Sequence, residues 1–249
     1  MKKILAGLLG VFMFLSCSSD DQVSDVNHDN YSLVSKGIDE YKNIDYVEIG
    51  VRHNIYMENA FYEAEKMGKT GKDIQMKLDF GMDKEVQSKH YDVLHSLSLD
   101  EKYKLVLSNM KDENAKKDLL SIRDIIYNSR NYSDLVEKFN AIEKKVKGNY
   151  SGLDYGVLMS SIEVGKHSAL LWFDKESGGL NKGEAYLKMS KYRSSSSSSR
   201  SAVDSDVLGG ALGMVGWAIT GGAVLGPFGA LGGMAAATVY GAVTGSIFT

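Results

Sequence analysis

Residues 207–249 read VLGGALGMVGWAITGGAVLGPFGALGGMAAATVYGAVTGSIFT, a run of 43 residues with no Asp, Glu, Lys, Arg or His and with twelve glycines. A helix needs roughly 20 apolar residues to cross a bilayer core of about 30 Å. The stretches 207–226 and 228–248 are each about that long. They flank Pro227, the sole proline of the chain, in the sequence Gly226-Pro227-Phe228-Gly229. Proline lacks a backbone donor and glycine favours tight turns, so the break belongs there. The run predicts an apolar helical hairpin turning at Pro227.

Small residues recur every four positions within it. Gly222, Gly226 and Ala230 form one series, and Gly233, Ala237, Gly241 and Gly245 form a second. Such spacing gives a helix a flat face that lets another backbone approach closely, and close packing is a main source of helix association in lipid. These seven positions are the expected helix-packing residues. They imply association with a lipid membrane and a homo-oligomer held through the zipper. Trp217 and Tyr240 fall inside the two halves rather than at their ends, so they do not form an interfacial belt.

Ahead of the hairpin, residues 194–199 are six consecutive serines between Arg193 and Arg200. By composition this is a flexible linker, expected over 191–206. The region 31–190 is charged and patterned for helices. One proline in 249 residues suits a helical chain, because proline ends helices. Met57, Ala60, Phe61, Ala64 and Met67 lie at helical spacing within 44–68. Ser98 and Glu101 have capping-box spacing ahead of a helix reaching about Met110. Leu119, Ile122 and Ile126 mark 113–128. Leu135, Phe139, Ile142 and Val146 follow with a period near 3.6, with Ser133 as the expected N-cap and Gly148 as the expected C-cap. Leu158, Ile162, Gly165, Ala169 and Phe173 extend the pattern over 153–174. No strand with period 2 and useful length is legible. The expected fold is all-α, a helical bundle of five or six helices followed by the linker and the Gly-rich hairpin.

The N-terminus begins Met1-Lys2-Lys3, a basic segment, and continues with a short apolar core from Ile4 to Leu15. That is the form of a secretory signal, too short for a stable transmembrane helix. Phe14-Leu15-Ser16-Cys17 resembles the lipobox of bacterial lipoproteins, in which the signal is cut just before a cysteine that is then lipidated. Cys17 is the single cysteine of the chain. The resemblance implies a signal peptide at 1–16, lipidation of Cys17 and an acidic tether at 17–30. Ser18-Ser19-Asp20-Asp21 is similar to the export signals of surface lipoproteins, and Ser18 stands where an inner-membrane lipoprotein would have aspartate. The implied location is the cell envelope, lipid-anchored in the outer membrane. With one cysteine there is no disulfide.

The last 43 residues resemble the glycine-zipper segments of bacterial envelope lipoproteins, and also class II bacteriocins and the hydrophobic hairpins of pore-forming toxins. The resemblance is one of pattern. It implies two functions. In one, the hairpin inserts into target membranes as an antibacterial or pore-forming factor, with an immunity protein as a partner. In the other, it is a resident membrane or oligomerisation element of a structural envelope lipoprotein, with an envelope protein as a partner. The low content of Leu, Ile and Phe and the redundancy of a second anchor beside Cys17 tilt the reading toward the first.

Chemistry is scarce. The net charge of −3 argues against nucleic acid. His53 stands five residues from both Glu48 and Glu58, and His90 and His95 are also five apart, so none of these pairs shares a helical face. Glu163 and His167 are four apart, which suits a capping or solvated contact. H-E-x-x-H, G-x-S-x-G, P-loop and dinucleotide patterns are absent. No catalytic residue, metal site or cofactor is expected, and the chain is not expected to be an enzyme. His53, Asn54 and Trp172 are expected as polar anchors of the bundle core, because buried polar groups need partners.

Overall fold

The computed structural model describes residues 40–80, 84–189, 196–220 and 229–247. Every regular element among them is helical. A short 3-10 turn at Glu40–Asn43 leads into ten helices: α1 (Tyr46–Met67), α2 (Lys72–Gln75), α3 (Lys84–Ser96), α4 (Leu99–Asn109), α5 (Glu113–Asn128), α6 (Tyr132–Asn149), α7 (Gly152–Trp172), α8 (Glu184–Met189), α9 (Ser196–Thr220) and α10 (Gly229–Ile247).

Local chemistry sets most helix starts. Asp45, Ser98, Asp112 and Asn131 each accept a hydrogen bond from a backbone N–H in the first turn of the helix that follows. That satisfies donors which would otherwise have no partner. Ser98 and Glu101 form the expected capping box. α6 departs from expectation at both ends. Asn131 caps it rather than Ser133, and the helix runs through Gly148 to Asn149. An Asn side chain two residues earlier reaches the Asp134 N–H at 2.9 Å, so Ser133 falls inside the first turn. α1 ends at Gly68, whose φ of 61° is the left-handed geometry that glycine adopts without strain.

The outer helices bury one stripe each. Leu119, Ile122 and Ile126 of α5 and Leu135, Phe139 and Val146 of α6 are fully buried. α7 is different: nearly every side chain from Asp154 to Gly165 is buried. A helix that is apolar all round must be enclosed. α1, α5, α6 and α9 enclose it. α9 lies antiparallel to α7, with Val207 beside Gly165 and Met214 beside Gly156. α10 lies on α9, the most extensive helix pairing in the molecule, and also touches α1, α2 and α3.

The linker expected over 191–206 is corrected from residue 196 onward. Ser196 begins a continuous helix, and Ala202, Val203, Asp204 and Asp206 are buried. Serine is a middling helix former, and tertiary contacts override composition. Arg200 supplies one: its guanidinium donates to the carbonyls of Ile126 (2.5 Å) and Ser129 (2.6 Å) and lies 5.1 Å from the Phe173 ring centroid. α9 and α10 belong to the same core as the bundle rather than to a separate segment. Among the described residues no helix is long and apolar enough to cross a membrane. α9 begins with serines and charged residues, and glycine and alanine dilute the apolar character of α10.

Candidate functional site: the hairpin and its polar anchors

The two halves of the hairpin meet backbone to backbone. A methyl carbon at Gly209 would collide with the carbonyl of Gly241, one at Gly213 with that of Ala237, and one at Gly245 with that of Ser205. The three pairs step by four residues in opposite directions, so the helices are antiparallel and in constant register. Ala237, Gly241 and Gly245 are thus at close approaches to α9. Their partner is a second stripe, Ser205, Gly209 and Gly213 of α9, which the sequence reading did not single out. Its signal was present as the same four-residue spacing, obscured by Ser205 being grouped with the linker. The flat face of α10 is occupied by a helix of its own chain. Ala230 and Gly233 lie in the first two turns of α10. Gly222, Gly226, the expected turn at Pro227 and the expected lipidation position Cys17 lie outside the described residues.

Three polar clusters fix the hairpin to the bundle. Asp204 is fully buried and accepts from the hydroxyls of Tyr103 (2.5 Å) and Tyr127 (3.1 Å), with Arg123 Nε 3.3 Å away. Burial holds its carboxyl above the usual range, against the pull of these donors. Burial and the Asp204 charge push Tyr127 up to about 12, and Tyr103 is raised from the same two causes.

Asp206, two residues and about half a helical turn farther on, is also fully buried. Its Oδ2 accepts from Ser168 Oγ (2.6 Å) and Trp172 Nε1 (3.0 Å). His53 Nε2 stands 3.2 Å from the same oxygen, an ion-pair distance outside hydrogen-bond alignment, and Oδ1 has no hydrogen-bond partner. Burial again raises the carboxyl. On the other side of the ring, His53 Nδ1 is 2.9 Å from Asn54 Oδ1, and Asn54 Nδ2 donates to the His167 carbonyl at 2.8 Å. The expected anchors His53, Asn54 and Trp172 therefore come together. Asp206 and Ser168 complete the set. An acid at the edge of an apolar run, between Ala202-Val203 and Val207-Leu208, was the sequence signal for Asp206. Ser, His and Asp meet here, yet the serine proton is donated to the aspartate and not to the imidazole.

The third cluster holds α10. Gln75 Nε2 donates to the Tyr240 hydroxyl at 2.9 Å, and that hydroxyl donates to the Gln87 carbonyl at 3.1 Å. Gln87 Nε2 in turn donates to the Gln75 carbonyl at 2.5 Å, and Phe80 meets the Tyr240 ring edge-on at 5.0 Å.

Glu163, Glu48 and His95 have partners elsewhere. Glu163 is ion-paired with Lys166 at 2.9 Å, and Glu48 with Arg52 at 2.8 Å. His95 packs on the Tyr91 ring. Among the described residues no group of three His, Cys, Asp or Glu side chains is placed to hold a metal ion. No protein-family model matches the chain, and no curated protein or solved structure matches it.

Proposed function

We propose that this is a lipid-anchored protein of the bacterial cell envelope, tethered by Cys17 at the outer membrane, whose helical domain houses a membrane-active hairpin and presents it to a target bilayer. The observation that carries this reading is the enclosure of the hairpin. A glycine-rich tail with no charge after Asp206 is packed into a bundle, with α4, α5 and α7 against α9 and α1, α2 and α3 against α10. A segment carried through water has to be less apolar than a resident span, and the glycine content meets that requirement. The α9–α10 contact is main chain against main chain, which lipid favours as much as a protein core does.

Dye release from lipid vesicles tests the reading, using the mature chain with Cys17→Ser so that acyl chains play no part. The control is Ala236→Lys. Ala236 is partly exposed on α10, so the bundle accommodates the lysine. In a bilayer, a lysine near the centre of a helix costs about 2.5–3.5 kcal/mol. Release by the parent and loss of release by Ala236→Lys, with unchanged circular dichroism, is the expected result. Absence of release from the parent favours the second reading, a structural envelope lipoprotein that keeps the hairpin as a resident assembly element.

A further inference from the structure

α1 carries apolar residues on two sides. Ile49, His53, Met57, Ala60 and Ala64 face the core and are buried. Val47, Val51, Ile55 and Tyr62 stand on the opposite side, within an arc of about 80° at about 100° per residue, and all are exposed. A surface helix ordinarily shows charge on that side. Core packing does not account for this outer stripe, and a row of exposed apolar side chains marks an interaction site. We propose that the stripe joins two copies of the chain, their α1 helices antiparallel about a two-fold axis. The inference is independent of whether the hairpin acts on membranes.

The spacing of the stripe fits such a contact. A two-fold interface brings the same patch of both copies together, so the patch must complement itself. With the axis between Asn54 and Ile55, Ile55 meets Ile55 of the other copy. Val47 of each chain comes level with Tyr62 of the other, a small side chain beneath a large ring at both ends. The flanking charges also match. Lys66 of one copy and Asp45 of the other are offset by only about 3 Å along the helix axes, and Glu48 by about 8 Å, at about 1.5 Å per residue. Arg52 comes level with Glu58 of the other copy. Within one chain Lys66 is exposed and stands 3.7 Å from Glu63. In the pair it lies between its own Glu63 and the acids of the other copy. Glu58 is already paired with Lys182 at 2.6 Å, so it brings no unpaired charge into the seam.

A second copy suits this face better than a bilayer does. Glu48, Glu58 and Glu65 are exposed along the stripe, and anionic headgroups repel carboxylates. The close-approach face of α10 is filled by α9. That leaves the α1 stripe as the longest exposed apolar row among the described residues. α1 has 22 residues. Two such helices, each about 33 Å long, bury roughly 1,000 Å² in total when paired, near the lower edge of specific interfaces. The expected contact is reversible, with a dissociation constant in the micromolar range.

Disulfide trapping tests the register. Cys17→Ser leaves the mature chain without cysteine, and Ile55→Cys or Val47→Cys then adds one. Both positions are 54% exposed, so random collision would oxidise them alike. In the proposed pair the two copies of position 55 adjoin. Those of position 47 stand about 22 Å apart along the axes, far beyond the roughly 7 Å between Cα atoms that a disulfide spans. Ile55→Cys is expected to form dimers roughly tenfold faster or more, through the raised local concentration of its mate. A mixture of Val47→Cys and Tyr62→Cys chains should form the mixed dimer in preference to either self-pair. Sedimentation velocity of the mature Cys17→Ser chain should show a monomer–dimer equilibrium, and Ile55→Lys, with unchanged circular dichroism, should stay monomeric. A monomer at every concentration overturns the proposal. So does equal trapping of Ile55→Cys and Val47→Cys, or a dimer that Ile55→Lys leaves intact. Co-sedimentation of a monomeric chain with phospholipid vesicles, abolished by Ile55→Lys, would assign the stripe to a lipid surface and overturn the proposal equally.

Discussion

Gly241→Ala adds one methyl group at a main-chain contact of the hairpin. The added carbon would fall inside van der Waals contact of the Gly209 carbonyl oxygen, with the Gly209 carbonyl carbon and the Gly213 nitrogen each 3.1 Å away. All three obstacles are backbone atoms, so no rotamer change relieves them. The helices must part by about 1 Å, and a gap of that size forfeits a quarter to a half of each dispersion contact along the seam. Overpacking of this kind costs about 1–3 kcal/mol, and the absence of side-chain give places Gly241 at the top of that range. Alanine's helix propensity returns about 1 kcal/mol. The net expectation is a loss of roughly 2 kcal/mol. For a domain of this size that corresponds to a fall in Tm of about 4–8 °C. Urea unfolding followed by circular dichroism measures it, as a lower midpoint at unchanged slope. Two glycines calibrate the result. Gly210→Ala meets Val164 Cγ2 at 3.3 Å and little else, so it should be close to neutral. Gly148→Ala meets nothing within 4 Å on α6 and should stabilise by up to about 1 kcal/mol. Equal midpoints for Gly241→Ala and Gly210→Ala would refute the close approach of α9 and α10.

Ser98→Ala removes the capping box of α4 and should cost about 1 kcal/mol in the same urea titration. Tyr240→Phe leaves the ring on Phe80 but takes the hydroxyl from Gln75 Nε2 and the Gln87 carbonyl, both buried; a loss of about 1–3 kcal/mol is expected from thermal unfolding. Asp204→Asn tests the sign of a buried acid. Burial raises the Asp204 carboxyl, so its stabilising contribution is complete below the unfolded value of about 3.9 and is lost as the pH rises through the folded value. The stability difference between parent and variant, measured from pH 4 to pH 8, should move steadily against the parent, and a difference that moves the other way would show the carboxylate to be net stabilised by Arg123 and the two tyrosines.

The helical bundle was legible because α1, α5 and α6 each bury one stripe, and a single stripe leaves a period near 3.6 in the sequence. Ser98 was legible because a capping box is local. α7 showed the period less cleanly, since an enclosed helix has no polar face to alternate with. The start of α9 was misread for a physical reason: six serines specify nothing by themselves, and the contacts of Arg200 with Ile126 and Ser129 lie some seventy residues away in sequence. The same distance hid the polar anchors. His53 and Trp172 announced themselves as buried polar groups in need of partners, but Asp206 becomes their partner only once α1, α7 and α9 converge.

The position of α7 has a bearing on the order in which the chain acquires its fold. α7 is synthesised before α9, yet α9 covers Gly156, Val164 and Gly165 and supplies the acceptor for Ser168 and Trp172. Until those later residues emerge, the most apolar helix preceding them has an open flank, and the first eight helices cannot settle into their final packing. A chain without its last two helices lacks a finished core, which would suit the export that the proposed envelope location requires. Completion of the core is thereby deferred to the arrival of α9 and α10.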